Sequence, residues 1–504
     1  MPQTVKLDPL TRVEGHLAVR TEIEGNKVQS AYVSGEMFRG FEVILRGRDP
    51  LDAQHITQRV CGVCSVEHGI ASILAQDMAY GLRPADNGRL CRNLMQAANF
   101  IASHITHFYL LSGLDFVDIA AIGKYEGADP ALLELKAWAK AETDSKKVSA
   151  LAPFLPRYAG QYATDLALNV GALRHYLDAM EMRMLGQRLA AIFTGKMPHA
   201  ATLIPGGVIE RVTAFHLEQA RALLHRLQVF IDTAYLPDVV AVAGAFPDYF
   251  NLGRTAGNFL AYGVFPESTE ASERWLPGGV SIDGRFQPLD AEQVAEDVGS
   301  SLFSSPSGLK PTRGQTVPAP NKAGAYSWLK APRYDGRPME VGPLARMLVA
   351  YQSGKHAGVK AGVDDLLKKL QRDPQDLNSV MGRHAARALE CKLVADHFAT
   401  WLDQLALDAP STVAFQVPDA AQGYGLTEAA RGALGHWLEI RDKKISNYQL
   451  VVPTTWNASP RDDRGQPGPI EQALVGTPVA DPANPLEVAR VVRSFDPCLA
   501  CAVH

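Results

Sequence analysis

The chain has 504 residues, 46% of them hydrophobic, and its 50 basic and 54 acidic residues leave a formal net charge of -4. That is enough apolar material for a large core, and the balanced, interspersed charge excludes the basic footprint of a nucleic-acid or anionic-lipid binder. Six cysteines are too few for a disulfide-held fold, and no run of about 18 apolar residues and no basic-then-apolar start between Met1 and Leu10 occurs, so a soluble chain without its own export signal is expected.

From Leu17 to Ser34 apolar and polar residues alternate around Glu24-Gly25-Asn26, which predicts a β-hairpin with one buried face. Apolar residues recurring every three or four positions predict long helices over Asn93 to Leu114 and Tyr162 to Phe193, with further helices over Val212 to Tyr235, Pro343 to Ser353 and Ser379 to Leu405. Between them, Asp248 to Tyr334 is rich in Gly, Pro and Ser and reads as loops with short strands. Leu434 to Ile440 and Ile445 to Val452 read as a second hairpin ended by Pro453. The expected fold is mixed α+β and predominantly helical, with a central long-helix bundle and peripheral hairpins and small sheets.

Four of the six cysteines form two Cys-x-x-Cys pairs, Cys61/Cys64 and Cys498/Cys501, while Cys91 and Cys391 lie within helical patterns and read as buried core thiols. In each pair the two intervening residues let a turn aim both sulfurs at one ion. Four thiolates can hold zinc, an iron-sulfur cluster or another late transition metal, and the residues alone leave that choice open. Zinc ribbons place their pairs about 15 to 20 residues apart, whereas these lie near opposite ends of the chain. Although length alone suggests about three domains, the distant pairs argue for a single unit over residues 1–504 whose terminal segments meet.

The two clamps are accompanied by Leu7-Asp8-Pro9-Leu10-Thr11-Arg12-Val13-Glu14-Gly15-His16, Met37-Phe38-Arg39-Gly40-Phe41-Glu42 and Val452-Pro453-Thr454-Thr455-Trp456-Asn457. In combination, and from end to end of the chain, these segments resemble the signatures of nickel-iron hydrogenase large subunits. The resemblance implies that Cys61 and Cys498 are terminal ligands of nickel and that Cys64 and Cys501 bridge nickel to an iron carrying CO and two cyanides. It makes Arg431 the cation beside this anionic cluster, Thr454 and the backbone around Pro453 partners of the cyanides, His68 a donor to a bridging sulfur, and Glu14 a proton relay beside a terminal thiolate. Glu42, the Leu450 carbonyl and His504 match a second metal site, usually Mg2+, although an imidazole ligand also suits iron. Some relatives carry selenocysteine at the position of Cys498; here sulfur ligation is expected.

The implied activity is reversible heterolytic oxidation of H2, with Cys498 or another thiolate, or Arg431, accepting the proton. Its electrons pass to an Fe-S small subunit in a heterodimer that can pair again, because this chain lacks cysteines for a relay of its own. The expected location is periplasmic or membrane-associated through that subunit, with the cytoplasm left open. Family precursors are commonly cut after the position of His504, so the sequence is expected to be the mature form. Ser103 and Ala430 depart from an acidic residue and a proline common in the family, which bears on oxygen tolerance and catalytic bias. His104 and His107 are expected to pack in the core and not to chelate. The competing readings are a hydrogen-sensing subunit, a quinone-binding relative, which should lack the clamps, and a structural four-cysteine zinc protein.

Overall fold

The computed structural model describes residues 3–145, 160–270 and 273–504. Strand β1 (Gln3–Leu7) pairs antiparallel with β2 (Leu17–Glu24), which pairs with β3 (Lys27–Gly35). The β2–β3 hairpin is the predicted one. Gly25 and Asn26, each at φ 58°, form its tip, a left-handed conformation that these two residue types adopt readily. Val19, Thr21 and Ile23 face the core, and Arg20 and Glu24 face solvent.

Helices α1 (Ser65–Tyr80), α2 (Asp86–Thr106), α3 (Leu166–Thr194), α4 (Ala214–Phe230), α5 (Pro343–Ser353) and α6 (Val380–Gln404) form the centre. Helix α2 packs against both α3 and α6, so the predicted bundle is present. Three helices differ at their ends: α3 starts at Leu166, capped by Asp165, and not at the expected Tyr162, and α2 and α4 differ as well. Helix α2 starts seven residues before the predicted Asn93, where Asn87, Arg89 and Arg92 interrupt the apolar pattern; their side chains are buried because they donate to loop carbonyls such as Ala406 and Gly207. It then runs through a π turn, His107–Ser112, in place of the expected regular helix. Helix α4 likewise passes through a π turn, Ile231–Tyr235, into a further helix, Leu236–Ala245, instead of stopping before Pro237. By length and composition alone this continuous run could cross a bilayer; here Leu224, Leu227, Val239 and Val242 are buried in the protein core.

The second sheet has the order β4 (Ala420–Ala429), β5 (Gly432–Arg441), β6 (Lys444–Val451), all antiparallel. The predicted β5–β6 hairpin is joined by β4, which the sequence hides behind two glycines. Helix α1 lies so close to β4 that a Cβ on Gly423 would meet the Ala75 carbonyl at 2.3 Å, and one on Gly425 the Ala71 carbonyl at 2.0 Å. The Asp248 to Tyr334 region holds short strands such as Phe259–Ala261, Gly279–Ile282 and Ala331–Tyr334, as expected.

Candidate metal centre

The N-terminal clamp lies between a 3-10 turn, Gln58–Val60, and α1, whose first turn follows directly on Cys64. The free N–H groups there favour a thiolate. The C-terminal clamp is delivered by a sharp turn at Asp496, which takes φ 56°, followed by Pro497. Two straps bring the clamps together. Glu14 and Cys498 form a parallel β-bridge, with Leu499 N–H donating to the Glu14 carbonyl at 2.7 Å. Gly15, at φ 79°, leaves room for this, since a Cβ there would lie 2.8 Å from the Ala500 nitrogen. The Arg39 guanidinium then donates to carbonyls of both clamp segments, Val60 at 2.6 Å and Ala500.

All four clamp sulfurs are buried and lie within 4.8 Å of one another. Cys61 Sγ is 3.3 Å from Cys498 Sγ, Cys64 Sγ is 2.7 Å from Cys501 Sγ, and Cys498 and Cys501 are 3.1 Å apart. These separations exceed a disulfide bond, and all six cysteines are free. Hydrogen bonding from Cys498 and the other clamp thiols pulls the Cys61 thiol down, whereas burial pushes Cys498 and Cys501 up. Four thiolates could therefore coexist only around a cation. Soft donors crowded in this way fit a late transition metal.

The β4–β5 hairpin aims its two-residue tip, Ala430-Arg431, inward. Arg431 is buried and not a solvent-facing hairpin residue; its Nη2 lies 3.1 Å from Asp496 Oδ1, and although burial works against its charge, Asp496 and the clamp sulfurs hold it. The role of Asp496 was not recognised in the sequence, although it adjoins the clamp. Arg431, Pro453, Thr454 and His68 line, with Cys64, Cys498 and Cys501, a narrow cavity of about 10 Å3. Thr454 Oγ1 accepts the Cys498 N–H at 2.9 Å, leaving its own hydroxyl proton free to donate. Glu14 accepts from Cys498 Sγ and from the Ala500 N–H, both at 3.0 Å, and burial together with the charge of Cys61 raises its carboxyl above the ordinary range. It makes no pair with Arg12, which instead binds Asp115.

Glu42 is also buried and has no surface partner at Arg39 or Arg46. It accepts from the Leu450 N–H at 2.8 Å and from Thr316, and lies 3.4 Å from His504 Nε2 and 3.2 Å from Lys330 Nζ. Lys330 also reaches Glu296 at 3.4 Å and Gln449 at 3.0 Å. Against the effect of burial, Lys330 and His504 hold Glu42 well below the usual carboxylate range. Glu42, Leu450 and His504 are the expected group, and Lys330, Glu296, Thr316 and Gln449 join them from distant loops and strands with no motif in the sequence to mark that role.

Cys91 and Cys391 are wholly buried in α2 and α6. His104 bonds Glu390 at 2.8 Å and His107 the Arg493 carbonyl at 2.7 Å, so they pack separately and do not share a ligand. Ser103 is buried with its hydroxyl unpartnered.

A family profile described as nickel-dependent hydrogenase matches residues 39–504. The chain is 44% identical to the periplasmic [NiFeSe] hydrogenase large subunit of Desulfomicrobium baculatum, covering 99% of this chain and 94% of that one. It is 37% identical to the uptake hydrogenase large subunit of Rhizobium leguminosarum bv. viciae, covering 99% and 95%. Among solved structures it superposes on a [NiFeSe] hydrogenase chain of Dm. baculatum with a TM-score of 0.89 at 44% identity. A Ni-Fe-Se hydrogenase chain of D. vulgaris Hildenborough gives 0.88 at 39%; both matches cover 100% of each chain.

Proposed function

Because this chain belongs to the nickel-dependent hydrogenase family, we propose that its four clamp cysteines hold a nickel-iron pair and that residues 1–504 act as one catalytic unit for the reversible oxidation of H2. The observation that carries this reading is the convergence of four buried thiols from pairs 437 residues apart. When bound, the metal pair supplies the Lewis-acid and redox chemistry that splits H2 and receives its electrons. Cys61 and Cys498 would be terminal ligands of nickel, and Cys64 and Cys501 bridges to iron.

The remaining roles are those the family resemblance implies, and the residues around the clamps suit them. Arg431 balances the negative charge of the thiolates from a site where water cannot. Thr454, through its hydroxyl, and the backbone N–H groups that follow Pro453 would offer donors to the cyanides of an iron carrying CO and two cyanides, and His68 would offer one to a bridging sulfur. Glu14, in contact with the Cys498 sulfur, takes the proton from it and releases it toward solvent. Glu42, the Leu450 carbonyl and His504 suit Mg2+, or iron through the imidazole, with Glu296 adding a second carboxylate nearby. Cys91 and Cys391 are buried in helices apart from the clamps, which supports an Fe-S small subunit as the electron acceptor. The periplasmic relative supports a periplasmic location, free or membrane-associated through that subunit.

Metal analysis and infrared spectroscopy of the purified protein test this reading. About one nickel per chain is expected, in line with a single four-thiolate site, together with bands of metal-bound CO and cyanide. Cys64→Ala or Cys501→Ala should abolish those bands. Zinc without nickel, or an intact spectrum in either variant, would overturn the assignment.

A further inference from the structure

His68 is the end of a chain of buried polar groups. His68, Ser72, Gln76 and Tyr80 follow at four-residue spacing along α1 and so share one ridge. His68 Nδ1 lies 3.1 Å from His436 Nε2 on β5, and His436 Nδ1 lies 2.9 Å from the Tyr448 hydroxyl on β6. The Tyr448 oxygen is hydrogen-bonded to Ser72, and Ser72 Oγ accepts from Gln76 Nε2 at 3.4 Å. His68, Ser72, Gln76, His436 and Tyr448 are each 1% exposed or less, so water does not compete for these bonds.

In this dry interior, ring nitrogens 3.1 Å apart can hold only one proton between them, so His68 Nδ1 and His436 Nε2 are one donor and one acceptor. A neutral imidazole carries one N–H and one lone pair. The direction of every bond in the chain is therefore set once its ends are set. At the outer end the Gln76 amide nitrogen can only donate, which leaves the Ser72 proton to point on toward Tyr448. At the inner end His68 faces the cavity of Cys64, Cys498 and Cys501. The opposite order would turn a lone pair on His68 Nε2 toward thiolates, a contact between two acceptors.

Resting on the metal-centre reading above, we propose that His436 and Tyr448 are positioning residues that fix His68 as the Nε2–H tautomer. The Tyr448 hydroxyl donates to His436 Nδ1, and His436 Nε2–H donates to His68 Nδ1. His68 then presents its remaining N–H to the thiolates, drawing electron density from them and so from the metals they bind.

Neutron diffraction from deuterium-exchanged crystals of the assembled hydrogenase reads this directly. Deuterium on Nε2 of both His68 and His436 is expected, and deuterium on His68 Nδ1 overturns the proposal. Tyr448→Phe removes the hydroxyl with little change in volume. In the metal-loaded variant the CO and cyanide bands are expected to move to lower wavenumber, because a thiolate relieved of its donor pushes more density onto the metals. Bands at wild-type positions would overturn the proposal. His436→Gln keeps an N–H where Nε2–H stood and should hold the wild-type bands, while His436→Leu should shift them; equal shifts in both would mean packing alone and count against the idea. The tautomer is read from protein atoms, and nickel content is measured separately, so this proposal and the metal-centre reading can fail independently.

Discussion

Replacing Arg346 with Met removes the cation from a buried charged cluster next to the site. On α5, Arg346 donates through Nε and Nη2 to both oxygens of Glu390, at 2.6 Å each, and through Nη1 to Glu428 at 2.8 Å. The same guanidinium holds the carbonyls of Ala429 and Ala430, at 3.0 and 2.9 Å, which immediately precede Arg431. All three charged side chains are 0% exposed. Breaking a buried pair costs about 3–5 kcal/mol, and proton uptake by the stranded carboxylates relieves part of it, so a loss of ~4 kcal/mol is expected at pH 8. The pH dependence has a definite sign. In the wild type, burial alone would raise Glu390, but Arg346 and His104 hold it down to about 2, so its contribution is present above its ordinary 4.5 and is lost only as pH falls through about 2. In the Met variant Glu390 rises above 4.5 and its penalty grows with pH. The stability gap, measured by urea unfolding of the metal-loaded protein, should therefore be wider at pH 8 than at pH 5. A loss under ~1 kcal/mol, within the range of surface substitutions, or the same gap at both pH values, refutes the reasoning.

Glu14→Gln should keep nickel content and para-to-ortho H2 conversion, while exchange of H2 with D2O and steady turnover fall by ~100-fold or more, the usual weight of a proton-transfer group. Exchange at the wild-type rate would show that protons leave by another path. Glu471, which accepts from the Val33 N–H at 3.0 Å and Tyr326 at 2.8 Å, is pushed up by burial from 4.5 to about 7. The folded state therefore loses stability as pH rises from 4.5 through about 7, and Glu471→Gln should lessen that decline by ~3 kcal/mol in unfolding titrations; an unchanged decline would contradict the shift.

Local chemistry made some elements readable and long-range packing concealed others. Ser379 caps α6 through Gly382 N–H, and Pro343 opens α5, so both helices lie where the pattern placed them. Helix α1 escaped notice because Ser65 to Ile73 are buried on every face, which erases the apolar stripe. Strand β4 escaped because Gly423 and Gly425, poor strand formers, serve the close approach of α1. At the site, the cysteines and Glu14 stood out through their motifs. Asp496, Lys330 and Glu296 acquire meaning only from partners 65, 288 and 34 residues away, as Arg431, Glu42 and Lys330 show.

The bridge between Glu14 and Cys498 also imposes an order of events in time. A ribosome delivers Cys61 and Cys64 long before their counterparts, because 437 residues separate each from its opposite sulfur. At about 5–20 residues per second that interval is roughly 20–90 s. Throughout it the first pair is a lone dithiol, able to bind or lose an ion with nothing to enclose it. The four-sulfur cage can close only when the last helix, Leu499–Ala502, has been synthesised and strapped to the Glu14 loop. The cage can thus enclose an ion only once residues 61 to 501 have all been made, and until then the first pair stays open to any ion it meets.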